Sequence, residues 1–248
     1  MKHPRPTSPI LGVVALAVAA LGCATTPDPP MPSEGTLVRM DLIAVLVDSG
    51  NYDAAVPLLQ RALAAHPEEG MLHYYQGVVL GSRGYRALAE RELRKALELR
   101  PGLAHAMDRL GRVLARSGSP KDAVLWHQKA VKAQPRNPAF HNNLGWSLFV
   151  AGRPAEAVKA FEEAVSLDPR SRKTQTNLGF AYARVGRTDD ARRAFEQAGT
   201  PASAAANLGA ALALLGRRTD ARVAYEAALR HDPTLHTARE ALEELKTP

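Results

Sequence analysis

Apolar and small residues recur along this chain at helical spacing, interrupted by glycine and proline at a fixed period. Between 138 and 171, Leu144, Gly145 and Leu148 fall on one face of a first helix. Ala157, Phe161 and Ala164 fall on one face of a second. Gly152 breaks the chain between them. Asp168-Pro169 ends the second helix, because proline lacks an amide donor and disfavours helix in the residue before it. The segment predicts two antiparallel helices joined by a tight turn. The break glycine recurs at Gly50, Gly84, Gly118, Gly152 and Gly186, each 34 residues after the last. A period that strict predicts an all-α solenoid of stacked helix pairs, each touching only its neighbours.

Aligned on that period, the chain divides into units 36–69, 70–103, 104–137, 138–171, 172–201 and 202–235. The eighth place holds Ile43, Gly77, Gly111, Gly145, Gly179 and Gly209. Alanine holds the twentieth and twenty-seventh places throughout, as Ala157 and Ala164 do in the fourth unit. Proline follows at Pro67, Pro101, Pro135, Pro169 and Pro233. Small residues let two helices approach closely where they cross, and larger ones would overpack by ~1–3 kcal/mol each. This pattern resembles the tetratricopeptide repeat (TPR) family. The resemblance implies a right-handed superhelix of six helix pairs, capped by a helix in 236–248 with Ala238, Leu242 and Leu245 on its apolar face. The fifth unit is short: Gly186 to Gly216 spans 30 residues, and the missing four predict a second helix clipped by about one turn.

The first 35 residues read differently. Lys2 and Arg5 precede an apolar run at 10–21, which rises only ~18 Å against the ~30 Å of a bilayer core. The run ends on Ala20-Leu21-Gly22-Cys23, and Cys23 is the only cysteine. This resembles a bacterial lipoprotein signal, with 1–22 removed and Cys23 acylated, and two or more acyl chains anchor stably. Ala24 stands where aspartate marks inner-membrane retention in enteric bacteria, so the resemblance implies the outer membrane, facing the periplasm. With four prolines, the tether at 23–35 is expected to be extended, reaching ~35–40 Å.

Removing 1–22 takes away Lys2 and Arg5 and no acid, so the formal net charge falls from +7 to +5. The remaining cations alternate with acids along the helices instead of forming a phosphate-tracking block, which argues against nucleic acid as a partner. No cofactor or metal site is expected, since no second cysteine exists and no histidine pair has ligand spacing. No catalytic constellation stands out, and an enzyme with an unrecognised site is the least favoured reading.

The TPR resemblance places the binding surface on the inner face of each unit's first helix. Carried onto this chain, it marks Tyr74, Arg112, Arg116, Asn142, Asn143, Trp146, Phe149, Asn177, Phe180, Arg184 and Asn207. Side-chain amides both donate and accept, so Asn143, Asn177 and Asn207 could hold an extended backbone of any sequence. Aromatics are 5% of the chain, yet Trp146, Phe149 and Phe180 fall beside three arginines, the residue types that anchor interfaces. The expected function is a membrane-anchored scaffold that binds a protein partner as extended peptide or helix. Its architecture resembles lipoproteins that assist type IV or Tad pilus assembly and escort secretins. Adaptors for cell-wall hydrolases or outer-membrane protein assembly are the alternative.

Overall fold

The computed structural model describes residues 34–245, with side chains from Met40 onward. Cys23, the signal and the proline-rich stretch up to 33 lie outside the described residues, as do residues 246–248 of the capping segment. Thirteen helices follow one another with no strand among the described residues. They are α1 (Glu34–Asp48), α2 (Tyr52–Ala65), α3 (Gly70–Ser82), α4 (Arg86–Leu99), α5 (Ala104–Arg116), α6 (Pro120–Ala133) and α7 (Pro138–Val150). Then come α8 (Pro154–Leu167), α9 (Arg172–Arg184), α10 (Thr188–Ala198), α11 (Pro201–Leu214), α12 (Arg218–His231) and α13 (His236–Glu244). Helix α1 takes in two residues of the stretch expected to be extended, because no proline follows Pro32 to stop it.

Each hairpin closes by the same local chemistry. At the α7–α8 turn, Gly152 adopts φ 76°, a left-handed conformation costing other L-residues ~1–2 kcal/mol. Its N–H bonds Phe149 O at 3.1 Å and the Arg153 N–H bonds Leu148 O at 2.9 Å, satisfying carbonyls the helix end leaves open. At the other end, Asp168 before Pro169 is driven to φ −139°, ψ 85°, and α8 stops.

Within each hairpin the eighth-place glycine lies against one large side chain of the second helix. A methyl on Gly145 would meet the Phe161 ring at 2.7 Å, and one on Gly179 would meet Phe195 at 2.5 Å. Gly77 lies on Leu93 and Gly209 on Tyr225 in the same way. In the third pair the partner of Gly111 is His127. The core forms three successive clusters along the chain, around Leu72 and Leu93, around Phe161 and Leu178, and around Phe195 and Tyr225. Each helix pair is held by its own hairpin packing and touches only the pairs beside it.

Side chains at the fourth place join consecutive units. His73 Nε2 donates to Pro67 O and His141 Nε2 to Pro135 O, both at 2.8 Å. Gln175 reaches Pro169 O at 3.5 Å, and Arg239 reaches Pro233 O at 2.6 Å. The proline that ends one unit therefore also supplies the acceptor for the next.

Candidate functional site

First helices stack side by side, α5 on α7 and α7 on α9. Their shared face carries a cavity of about 350 Å³ bordered by Arg112, Arg116, Asn142, Asn143, Trp146, Lys173 and Asn177, with His127 and Ser147 beneath. On α5, Arg109, Arg112 and Arg116 follow the three-and-four spacing that keeps side chains on one side of a helix. Lys173, Asn177 and Phe180 do the same on α9.

The amides form one hydrogen-bonded row across three units. Asp108, only 6% exposed, has a carboxylate that can only accept. Asn143 Nδ2 therefore donates to Asp108 Oδ1 at 2.7 Å, which turns its own oxygen toward Asn142 Nδ2 at 3.3 Å. Asn142 Oδ1 in turn accepts from Asn177 Nδ2 at 2.9 Å. One buried acid thus sets the direction of three amides. Asn177, at the open end, keeps its carbonyl oxygen and a second N–H for a ligand.

Beneath the row lies a histidine where the other units have Leu59, Leu93, Phe161, Phe195 or Tyr225. His127 is 2% exposed, with Nδ1 2.8 Å from Ser147 Oγ and Nε2 3.8 Å from Asp108 Oδ1. Nε2 has no hydrogen-bond partner. Burial pushes the His127 pKa down, and the Asp108 charge opposes that shift without overcoming it. Serine, histidine and aspartate in a line resemble a nucleophilic triad. Here Ser147 is 2% exposed within α7, and the aspartate stands beyond hydrogen-bond reach of the ring. The arrangement therefore works as a buried polar support for the amide row.

Arg112 is half-buried, and burial first, then the neighbouring Arg109 charge, hold its pKa below the ordinary arginine value. Tyr74 is buried on α3 against Tyr75 at 5.2 Å, close enough to Arg109 to feel its charge. Its pKa is raised by burial, with Arg109 acting in the opposite direction. Trp146 is 48% exposed and stacks on Phe149 at 5.9 Å. Phe149 is half-buried against the Phe161 cluster, and Phe180 packs edge-on against Phe195 at 5.1 Å. Arg184, exposed at the end of α9, and Asn207, on α11, do not border this cavity. The structure thus gathers Arg112, Arg116, Asn142, Asn143, Trp146 and Asn177, leaves Tyr74 and Phe149 largely as packing, and adds Lys173, Asp108 and His127. The signal for His127 was present in the sequence: a polar residue at a place that is apolar in the other five units.

Among the described residues, no cluster of three or more His, Cys, Asp or Glu side chains is placed to hold a metal ion. No described helix is long and apolar enough to cross a membrane.

Stacked helix pairs with a lined inner face define a repeat scaffold of the protein-interaction class. Family models described as tetratricopeptide repeat match residues 41–104, 80–138 and 109–172, and another matches 148–215. The chain belongs to the tetratricopeptide repeat family. Among solved structures it is similar to Pseudomonas aeruginosa PilF, with TM-score 0.67 and 20% identity over 85% of this chain and 98% of that one. It is also similar to YrrB, a TPR protein with an unusual peptide-binding site, with TM-score 0.61 and 24% identity over 75% of this chain and 97% of that one. At these identities the likeness concerns the fold. A curated relative, the probable biofilm formation methyltransferase WspC of Pseudomonas aeruginosa, is 29% identical over 136 residues, or 48% of this chain. The chain spans about a third (32%) of that protein's length.

Proposed function

We propose that this protein is a lipid-anchored scaffold, attached through Cys23 to the outer membrane and facing the periplasm, that holds a segment of another protein in the groove of α5, α7 and α9. The carrying observation is the row from Asp108 to Asn177, which orients amide groups before any ligand arrives, beside a half-exposed Trp146. Pre-orientation lowers the ordering cost of binding, and an exposed aromatic is the usual anchor of an interface. The lipoprotein-like signal supports the anchor. The peptide-binding site named for YrrB supports docking of a peptide segment, and the similarity to PilF supports an envelope role such as pilus or secretin assembly.

A photo-crosslinking residue at Trp146 is expected to trap one envelope protein that the same residue at Leu125, exposed on α6, does not. Equal capture from both positions, or none from Trp146, overturns the groove. Cys23→Ala is expected to abolish incorporation of labelled palmitate, and continued labelling overturns the anchor.

A further inference from the structure

Taken together, the first helices of units three to five are basic and the second helices behind them are close to neutral. Helices α5, α7 and α9 together carry six lysines and arginines against one carboxylate, Asp108. The second helices packed behind them, α6, α8 and α10, carry six against seven. The ion pairs follow the same division. Arg153, Arg187, Arg192 and Arg193 each bridge an acid on or beside the second helices. No ion pair involves Arg109, Arg112, Arg116 or Lys173 among the described residues. Asp108 attracts Arg112 electrostatically without forming an ion pair with it, and one carboxylate leaves most of the six cations uncompensated.

We propose that the cavity between α5, α7 and α9 recognises an acidic, extended segment of the partner, with at least two carboxylates in the pattern acidic–any–acidic. This rests on the groove being the docking surface. Arg112 and Arg116 are one turn apart, ~6 Å along the helix. Alternate side chains of an extended peptide stand ~6.7 Å apart on one side, so two such carboxylates reach two guanidiniums in register. Arginine's planar fork suits a carboxylate with two parallel hydrogen bonds. Asn177 contributes its spare N–H to the ligand backbone, and Lys173 closes the far side. Arg109, just outside this cavity on the same side of α5, extends the row of cations to ~10 Å, which fits a segment better than a single chain terminus.

Fluorescence anisotropy with the full chain tests this using three labelled decapeptides. One has an internal Glu-x-Glu and an amidated end, one replaces each Glu by Gln, and one keeps the Gln but has a free C-terminus. The acidic peptide is expected to bind at least tenfold tighter than its Gln counterpart at low salt and to lose that margin in 0.5 M salt. Arg112→Gln with Arg116→Gln should reduce the margin below threefold, while Arg112→Lys with Arg116→Lys keeps most of it. Circular dichroism confirms that each variant is folded. Equal binding of acidic and Gln peptides, or no binding of either, overturns the proposal. So does full recovery by the free C-terminus alone, which marks a terminus reader. Displacement by inorganic phosphate or single-stranded nucleic acid at lower concentration than by the peptide also overturns it, marking a phosphate site. A partner trapped at Trp146 that lacks any acidic segment ends this inference and leaves the docking groove standing. Acidic-peptide binding through Arg112 and Arg116 without any trapped partner does the reverse.

Discussion

The joint between units four and five and the joint between units five and six are built from the same repeat, yet they are held differently. At the first, α8 runs for 14 residues to Asp168-Pro169, Gln175 reaches the proline carbonyl, and Asn177 bonds Asn142. At the second, α10 has only 11 residues, Gly199 and Thr200 replace the terminator, and the fourth place is Ala205. The amide row stops there, since Asn207 makes no side-chain hydrogen bond among the described residues. Helix α11 packs on α9 more extensively than other consecutive first helices do. On the outer side a cleft of about 670 Å³ opens between α10, α11 and α12. Losing one turn tightens the inner face and opens the outer one. Glycine against a ring survives on both sides of the change, at Gly179–Phe195 and Gly209–Tyr225. Hairpin packing fixes the helix pair, whereas polar side chains tune how pairs are joined.

The outer cleft is larger than the groove cavity, and volume does not decide between them. Around the cleft, Arg217 already pairs with Asp220 at 2.7 Å and Arg192 with Asp189 at 3.1 Å. The groove's cations have no such partners, so the smaller cavity has the greater unspent capacity for an anion.

The largest effect should come from the feature common to both joints. Gly145→Leu and Gly209→Leu should each destabilise the array by about 3 kcal/mol, because leucine overpacks a ring already 2.7–2.8 Å from a single added methyl. Urea denaturation measures this, and tolerance at Gly209 alone would show that the pair after the short unit is loosely packed. Next comes the row. Asn143→Ala leaves the buried Asp108 carboxylate without its donor, at a cost of ~1–3 kcal/mol. Asn207→Ala should change stability by less than ~0.5 kcal/mol. Similar losses at the two positions would mean the row is incidental to the joint.

The acid limb comes third. His127 has its folded pKa pushed below the ordinary 6.5, so the unfolded chain binds the proton more readily. Its neutral burial favours the fold above 6.5, and that contribution is lost as pH falls from 6.5 toward the depressed value. His127→Phe with Ser147→Ala installs the ring found in units four and five and should flatten stability across that window. Thermal unfolding between pH 7 and 5 decides it: equal slopes for wild type and variant would clear His127 of any part in the acid limb.

Much of this was legible from spacing alone. Glycine, alanine and proline at fixed places specify all-α helix pairs because each answers a steric demand within 34 consecutive residues. The shortened fifth unit was legible as a count. Groove candidates were less legible, because the same place on a helix can face ligand or neighbour. Trp146, at the ninth place of its unit, faces the opening, while Tyr74, at the fifth place of its own, is buried against Tyr75. The amide row was not readable, since bonds between residues 35 apart, Asn143 to Asp108 and Asn177 to Asn142, depend on how units stack. The sorting of charge was hidden for the same reason: cations and acids alternate along the chain and separate only once first and second helices take opposite faces.

The smallest effect bears most directly on the two joints. His141 Nε2 donates to Pro135 O at 2.8 Å, and His141→Ala removes one neutral hydrogen bond, worth about 1 kcal/mol. Gln175→Ala removes a contact of 3.5 Å, at the limit of useful geometry, and should cost about half as much. Ala205→His should give nothing back, because the residue six before it is Gly199 in fully extended backbone, in place of the proline turn that aims a carbonyl at the fourth place elsewhere. Three urea midpoints therefore rank the joints. If Ala205→His stabilises the array by as much as His141→Ala weakens it, the joint after the short unit has an acceptor of its own. The loss of one helical turn would then have altered the outer cleft without loosening the stack.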